Sequence, residues 1–92
     1  MNPITLSDAP TILKEFLGYM QTIKGKSAKT VQEYFFDLRT FFRYLKLSKG
    51  LVQPDTAFQE ISIEDVDITL LKTVTLTDVF EFINFMLSEK NN

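Results

Sequence analysis

The 92-residue sequence predicts an all-α fold, a compact bundle of four to five helices. Two observations carry that prediction. Apolar residues recur at three- and four-residue steps in a first, a second and a last long stretch, the period of a helix with one buried face. Residues that cap helix starts, such as Ser27 and Thr75, precede two of these stretches, and Gly25 and Gly50 follow the first two. An apolar content of 45 % with nine Phe, against three Gly and three Pro, suits one small domain with one modest core.

Ile12, Leu13, Phe16, Leu17, Met20 and Ile23 define a first helix over about 10–24. Ser7 or Asp8 is placed to cap it, Pro10 is tolerated in its first turn, and Gly25 ends it. Ser27 then caps a second helix over about 28–48, stopped by Gly50. Its apolar stripe is Val31, Phe35, Leu38, Phe42 and Leu45, widened by Tyr34 and Phe41, within an arc of about 120°. At 1.5 Å per residue this helix runs about 30 Å.

Residues 49–60 form a loop with a turn at Pro54-Asp55 and with Phe58 folded back on the core. Two echoing segments follow, Ser62-Ile63-Glu64-Asp65-Val66 and Thr75-Leu76-Thr77-Asp78-Val79. Each resembles a capping box, in which a hydroxyl accepts from a backbone N–H and the acid three residues on reaches back. They open a short helix near 63–73 and a last helix over about 76–89. The last helix is expected to bury Leu76, Val79, Phe80, Ile83, Met86 and Leu87. Phe82 and Phe85 then project from the other side, either onto a second neighbour or as a candidate protein interface.

Charge is strongly polarised. Residues 24–49 hold seven of ten basic residues and two of twelve acidic ones, a local net of +5, and the other 66 residues carry −7. On the helical wheel Lys46, Arg39, Gln32, Arg43 and Lys29 share an arc of about 100° beside the apolar stripe. Glu33 and Asp37 lie beyond it. Lys24, Lys26 and Ser27 extend the basic arc to the helix start, where free backbone N–H groups favour a phosphate. A charged helix face is most often simply solvated. Against that stand the Arg39–Arg43 repeat, unfavourable on an isolated helix, and the suitability of such a stripe for a major groove. Phe36 lies in the middle of the arc.

Composition excludes other chemistries. Without His or Cys the chain has no zinc site, no disulfide and no Ser-His or Cys-His nucleophile pair. No pair of carboxylates is spaced for acid–base work, so the chain alone is expected not to be an enzyme, with no cofactor and no small-molecule substrate. No apolar run spans a membrane and no signal peptide is recognisable, which points to a soluble, cytoplasmic protein without a membrane partner.

The string Gly25-Lys26-Ser27-Ala28-Lys29-Thr30-Val31-Gln32-Glu33-Tyr34, continued through Asp37-Leu38 and Phe41/Phe42-Tyr44-Leu45, resembles the N-terminal core-binding domain of tyrosine recombinases. These are the phage-integrase and Xer-type enzymes. The segments at Ile63–Val66 and Thr75–Phe82 resemble the family's later helices in order and spacing, so the likeness covers about residues 10–88. It implies a SAM-like orthogonal bundle that clamps the core recombination site on double-stranded DNA. A separate C-terminal domain would carry the catalytic Tyr, and other recombinase protomers would share the DNA. It places Ser27, Lys29, Thr30, Gln32 and Tyr34 near the duplex. The wheel adds Arg39, Arg43 and Lys46, and the helix start adds Lys24 and Lys26. Phe35 and Phe36 stand where the family often has a basic residue after the motif Tyr. The rival readings are a protein-interaction bundle using Phe82 and Phe85, and a stand-alone DNA-binding regulator. On the DNA reading, replacing Arg39 and Arg43 with Ala should weaken binding and leave the melting temperature nearly unchanged.

Overall fold

A computed structural model describes residues 9–90. Their regular structure is wholly helical: α1 (Thr11–Thr22), α2 (Ala28–Ser48), α3 (Ile68–Leu71) and α4 (Leu76–Lys90), with a single 3-10 turn at Phe58–Glu60. The all-α expectation holds. α1 and α2 end where local chemistry ends them.

Pro10 occupies the N-cap of α1, and its carbonyl accepts from the Leu13 and Lys14 N–H groups. Ser7 and Asp8, expected to cap this helix, lie outside the described residues. Gly25, at φ 67°, turns the chain out of α1, and the Lys26 N–H reaches back to the Met20 carbonyl at 3.0 Å. The expected start of α2 is reproduced: the Ser27 hydroxyl accepts from the Thr30 N–H at 3.2 Å. At its other end the Leu51 N–H bonds the Lys46 carbonyl and the Gly50 N–H bonds the Leu47 carbonyl. This paired closure needs the left-handed conformation that Gly50 supplies at φ 70°.

The two echoing segments diverge. At Thr75 the full box forms: the Asp78 N–H donates to Thr75 Oγ1 at 3.1 Å, and the Thr75 N–H donates to Asp78 Oδ2 at 2.9 Å. At Ser62 it does not. Ser62 Oγ takes the Glu64 N–H, two residues on, and the Asp65 carboxylate turns away to Lys46. The helix expected near 63–73 therefore shrinks to the four residues of α3, capped by Asp67 through the Leu70 N–H at 3.0 Å.

The core gathers Ala9, Leu13 and Leu17 with Phe35 and Phe42 of α2 and with Ile63 and Val66 of the segment before α3. Leu45 and Ile61 are buried as well. α1 packs on one side of α2 and α4 on another. Phe58 folds back as expected, its ring 5.6 Å from that of Phe85.

The orientation of α4 corrects the sequence reading. Phe82 and Phe85 face inward: Phe82 meets the rings of Phe41 at 5.0 Å and Tyr44 at 5.5 Å, and Phe85 meets Tyr44 at 5.1 Å. Leu76, Phe80, Ile83 and Leu87, expected in the core, are exposed instead. Apolar side chains cover well over half of this helix's circumference, so periodicity left two candidate faces. The aromatic surface of α2 selects the one bearing Phe82 and Phe85.

Candidate nucleic-acid interface

The basic arc of α2 is one stripe on a helical wheel but two different environments in the fold. Its N-terminal part is open. Lys24, Lys26, Ser27 and Lys29 are exposed, and Thr30, Gln32 and Tyr34 are half-buried beside them. The Ser27 hydroxyl also donates to Thr30 Oγ1 at 3.1 Å, which holds both hydroxyls together at the helix start. The first turn of α2 contains no acid. Neither Ala28 nor Lys29 has an intrahelical acceptor for its N–H, because helix geometry supplies none in the first turn. None of the three lysines is in an ion pair among the described residues. Three exposed lysines thus flank, along the chain, the positive end of a 21-residue helix. Tyr34 stands at its edge, its ring 6.3 Å from Phe16 of α1.

The C-terminal part is largely engaged by the protein itself. Lys46, expected on the basic face, is 7 % exposed. Its ammonium donates to the Ser62 carbonyl at 2.8 Å and to Asp65 Oδ1 at 2.7 Å, so the structure removes it from the open surface. A sequence signal for this existed: on the wheel Lys46 falls about 20° from buried Phe35, nearer the apolar stripe than any other base of the arc. What the sequence could not show was that the 62–65 segment would arrive with a carbonyl and a carboxylate. Lys49 is similarly drawn to Asp78 Oδ2, at 3.5 Å.

Arg43 donates through Nε to the Ile61 carbonyl at 3.0 Å. Burial, together with the adjacent Arg39 charge, pulls its pKa below the usual arginine value. Arg39 lies over the rings of Phe35 at 5.3 Å and Phe36 at 5.1 Å, and its buried Nε has no acceptor among the described residues. Exposed Phe36 therefore serves as one wall for the Arg39 guanidinium. Both arginines line a cleft of about 250 Å³ that also contains Gln59, Ser62 and Glu64. Neither is in an ion pair among the described residues.

The described residues contain no group of His, Cys, Asp or Glu side chains fit to hold a metal ion. Among them no helix is long and apolar enough to cross a membrane. The surface built here offers cations, hydroxyls and free N–H groups. Groups of these kinds are suited to hold an anion.

Comparison with known proteins identifies relatives of the chain. The chain is 45 % identical over 83 residues, 90 % of its length, to a tyrosine recombinase XerC of Caldanaerobacter subterraneus subsp. tengcongensis. It is 38 % identical over 45 residues, 49 % of its length, to a tyrosine recombinase XerD of Listeria monocytogenes serotype 4b. The chain spans 24 % of that XerC and 15 % of that XerD, so it corresponds to one part of much longer proteins. No family model and no solved structure matches it. Over nine tenths of its length the chain is thus similar to a tyrosine recombinase, and the match is consistent with that family's N-terminal domain.

Proposed function

We propose that this chain is a DNA-binding module of a site-specific tyrosine recombinase, which clamps the core recombination site and positions a separate catalytic domain for strand exchange. The observation that carries the reading is the open, acid-free corner at the start of α2, with Lys24, Lys26 and Lys29 around Ser27 and Thr30. Lysines and hydroxyls at a helix N-terminus suit phosphate oxygens, and Gln32, one turn further on, is the candidate for a base edge. Tyr34 borders this surface.

The outer guanidinium nitrogens of Arg39 and Arg43 extend the surface along α2, while their Nε atoms serve the fold. Lys46 is left out of the contact set. Within a longer recombinase the catalytic Tyr would come from elsewhere: Tyr34 belongs to the motif, and Tyr44 is packed against Phe82 and Phe85.

Binding of the chain to a short random duplex, followed by fluorescence anisotropy across a salt series, tests the proposal. The logarithm of the affinity should fall with the logarithm of salt by about 0.9 per phosphate contact, for roughly three to five contacts. Absence of binding at about 50 mM salt would overturn the reading for the isolated module.

A further inference from the structure

Phe36 sets an apolar ring into a polar face. On the helical wheel of α2 it falls between Gln32 and Arg43 on one side and Lys29 on the other, within about 40° of each. It is 40 % exposed. The ring is nonetheless held, with the Phe35 ring 5.6 Å away and the Arg39 guanidinium over it at 5.1 Å. Neighbours on two sides restrict its rotamers, so a contact with its exposed part costs little further side-chain entropy.

Position along the helix decides what that part can meet. Lys29 stands seven residues before Phe36 and Arg43 seven after, about 10.5 Å along the axis in each direction. Long basic side chains at that spacing suit the two phosphate walls of a major groove about 12 Å wide. Glu33 and Asp37, close to Phe36 in sequence, are exposed. Their carboxylates disfavour phosphate, so the middle of the helix suits the floor of the groove and not its walls. On that floor the apolar group of a base pair is the C5-methyl of thymine.

We propose that Phe36 reads thymine: its exposed part packs on a thymine methyl in the major groove and sets a base preference for the module. This rests on α2 being the DNA-binding element proposed above. Lysines and hydroxyls at the helix start hold a duplex whatever its sequence, whereas Phe36 distinguishes one sequence from another. Arg39 and Phe35 keep its ring in place.

The test uses short duplexes that the full chain enriches from a random pool. Each thymine is replaced in turn by uracil, which pairs identically and lacks the methyl, and anisotropy at fixed salt gives the affinity. At one position the exchange should weaken binding about fourfold, the worth of one methyl group taken out of water. Phe36→Ala should erase the difference at that position, and Phe36→Leu, which keeps an apolar tip, should retain part of it. Circular dichroism checks the fold of each variant; Phe36→Gln, polar and of similar length, serves should Phe36→Ala unfold. Replacing Lys24, Lys26 and Lys29 with Ala should weaken both forms alike and keep their ratio, because phosphates carry no sequence information.

A uracil effect that survives in Phe36→Ala, or none at any position, would overturn the proposal and leave the DNA reading standing. So would a pool that shows no enrichment while binding still falls with salt, since the chain would then hold phosphates alone. Failure to bind any duplex would overturn the DNA reading itself, and this proposal with it.

Discussion

Lys46 Nζ lies 2.7 Å from Asp65 Oδ1 although 19 residues separate them, and this pair fastens the end of α2 to the segment that precedes α3. The two sides are unequal. The Lys46 side chain is 8 % exposed and that of Asp65 is 75 % exposed, so the ammonium needs its partner far more than the carboxylate does. Asp65→Asn leaves a buried charge with weakened compensation and should destabilise the fold by about 1–2 kcal/mol. Lys46→Met removes that charge and keeps most of the packing volume, so it should cost less. Urea unfolding of both variants decides the order; a neutral Asp65→Asn would mean that the Ser62 carbonyl alone satisfies the ammonium.

The inward face of α4 gives a second contrast. Phe82→Ala empties the space between Phe41 and Tyr44 and should cost about 2–3 kcal/mol, below the full range for a completely buried Phe because this one is half-buried. Phe80→Ala should change stability by less than about 0.5 kcal/mol, since Phe80 is 56 % exposed. Thermal melts on dilute samples separate the two. Equal effects would contradict the orientation of the helix.

The twin capping segments make a third pair. Thr75→Ala removes a hydroxyl that accepts the Asp78 N–H and should cost about 1 kcal/mol. Ser62→Ala should be close to neutral, because Ser62 Oγ serves only an exposed turn while its carbonyl continues to hold Lys46. Guanidinium denaturation of the two variants compares them on one scale.

Acid should expose the same two carboxylates. The hydrogen bond from Lys46 holds the Asp65 pKa below its usual value, and that from the Thr75 backbone N–H does the same for Asp78. A carboxyl group whose pKa is lower in the folded state contributes its stability above its unfolded value of about 3.9. That contribution disappears as pH falls through the folded value. Melting temperature should therefore stay level between about pH 7 and 5 and drop below about pH 4. The double variant Asp65→Asn with Asp78→Asn should start lower and show a shallower acid limb.

For DNA, the structure changes which substitutions are informative. Lys24→Ala, Lys26→Ala and Lys29→Ala together should reduce the salt slope by about 2–3 and leave the melting temperature in place, because all three side chains are exposed. Arg39→Ala with Arg43→Ala should weaken binding and also lower the melting temperature, since Arg43 holds the Ile61 carbonyl and Arg39 packs on Phe35 and Phe36. The expectation of an unchanged melt for that pair belonged to a freely solvated face. An unchanged salt slope in the triple lysine variant would remove the corner from the interface.

The sequence by itself determined the helices whose ends are local. Ser27, Gly50 and Thr75 act through bonds that span only a few residues, so α2 and the start of α4 were legible to the residue. It determined the basic arc as well, and the motif from Gly25 to Leu45 carried the family resemblance that identity to XerC bears out. Tertiary structure decided what those residues were free to do. Whether Asp65 caps a helix or neutralises Lys46 depends on where the 61–66 segment crosses α2. Which face of α4 turns inward depends on the ring positions of Phe41 and Tyr44. Both are contacts between residues 19 or more positions apart, and period and spacing describe one helix at a time. Burial converts a stripe of like charges into an open corner at one end and a set of struts at the other.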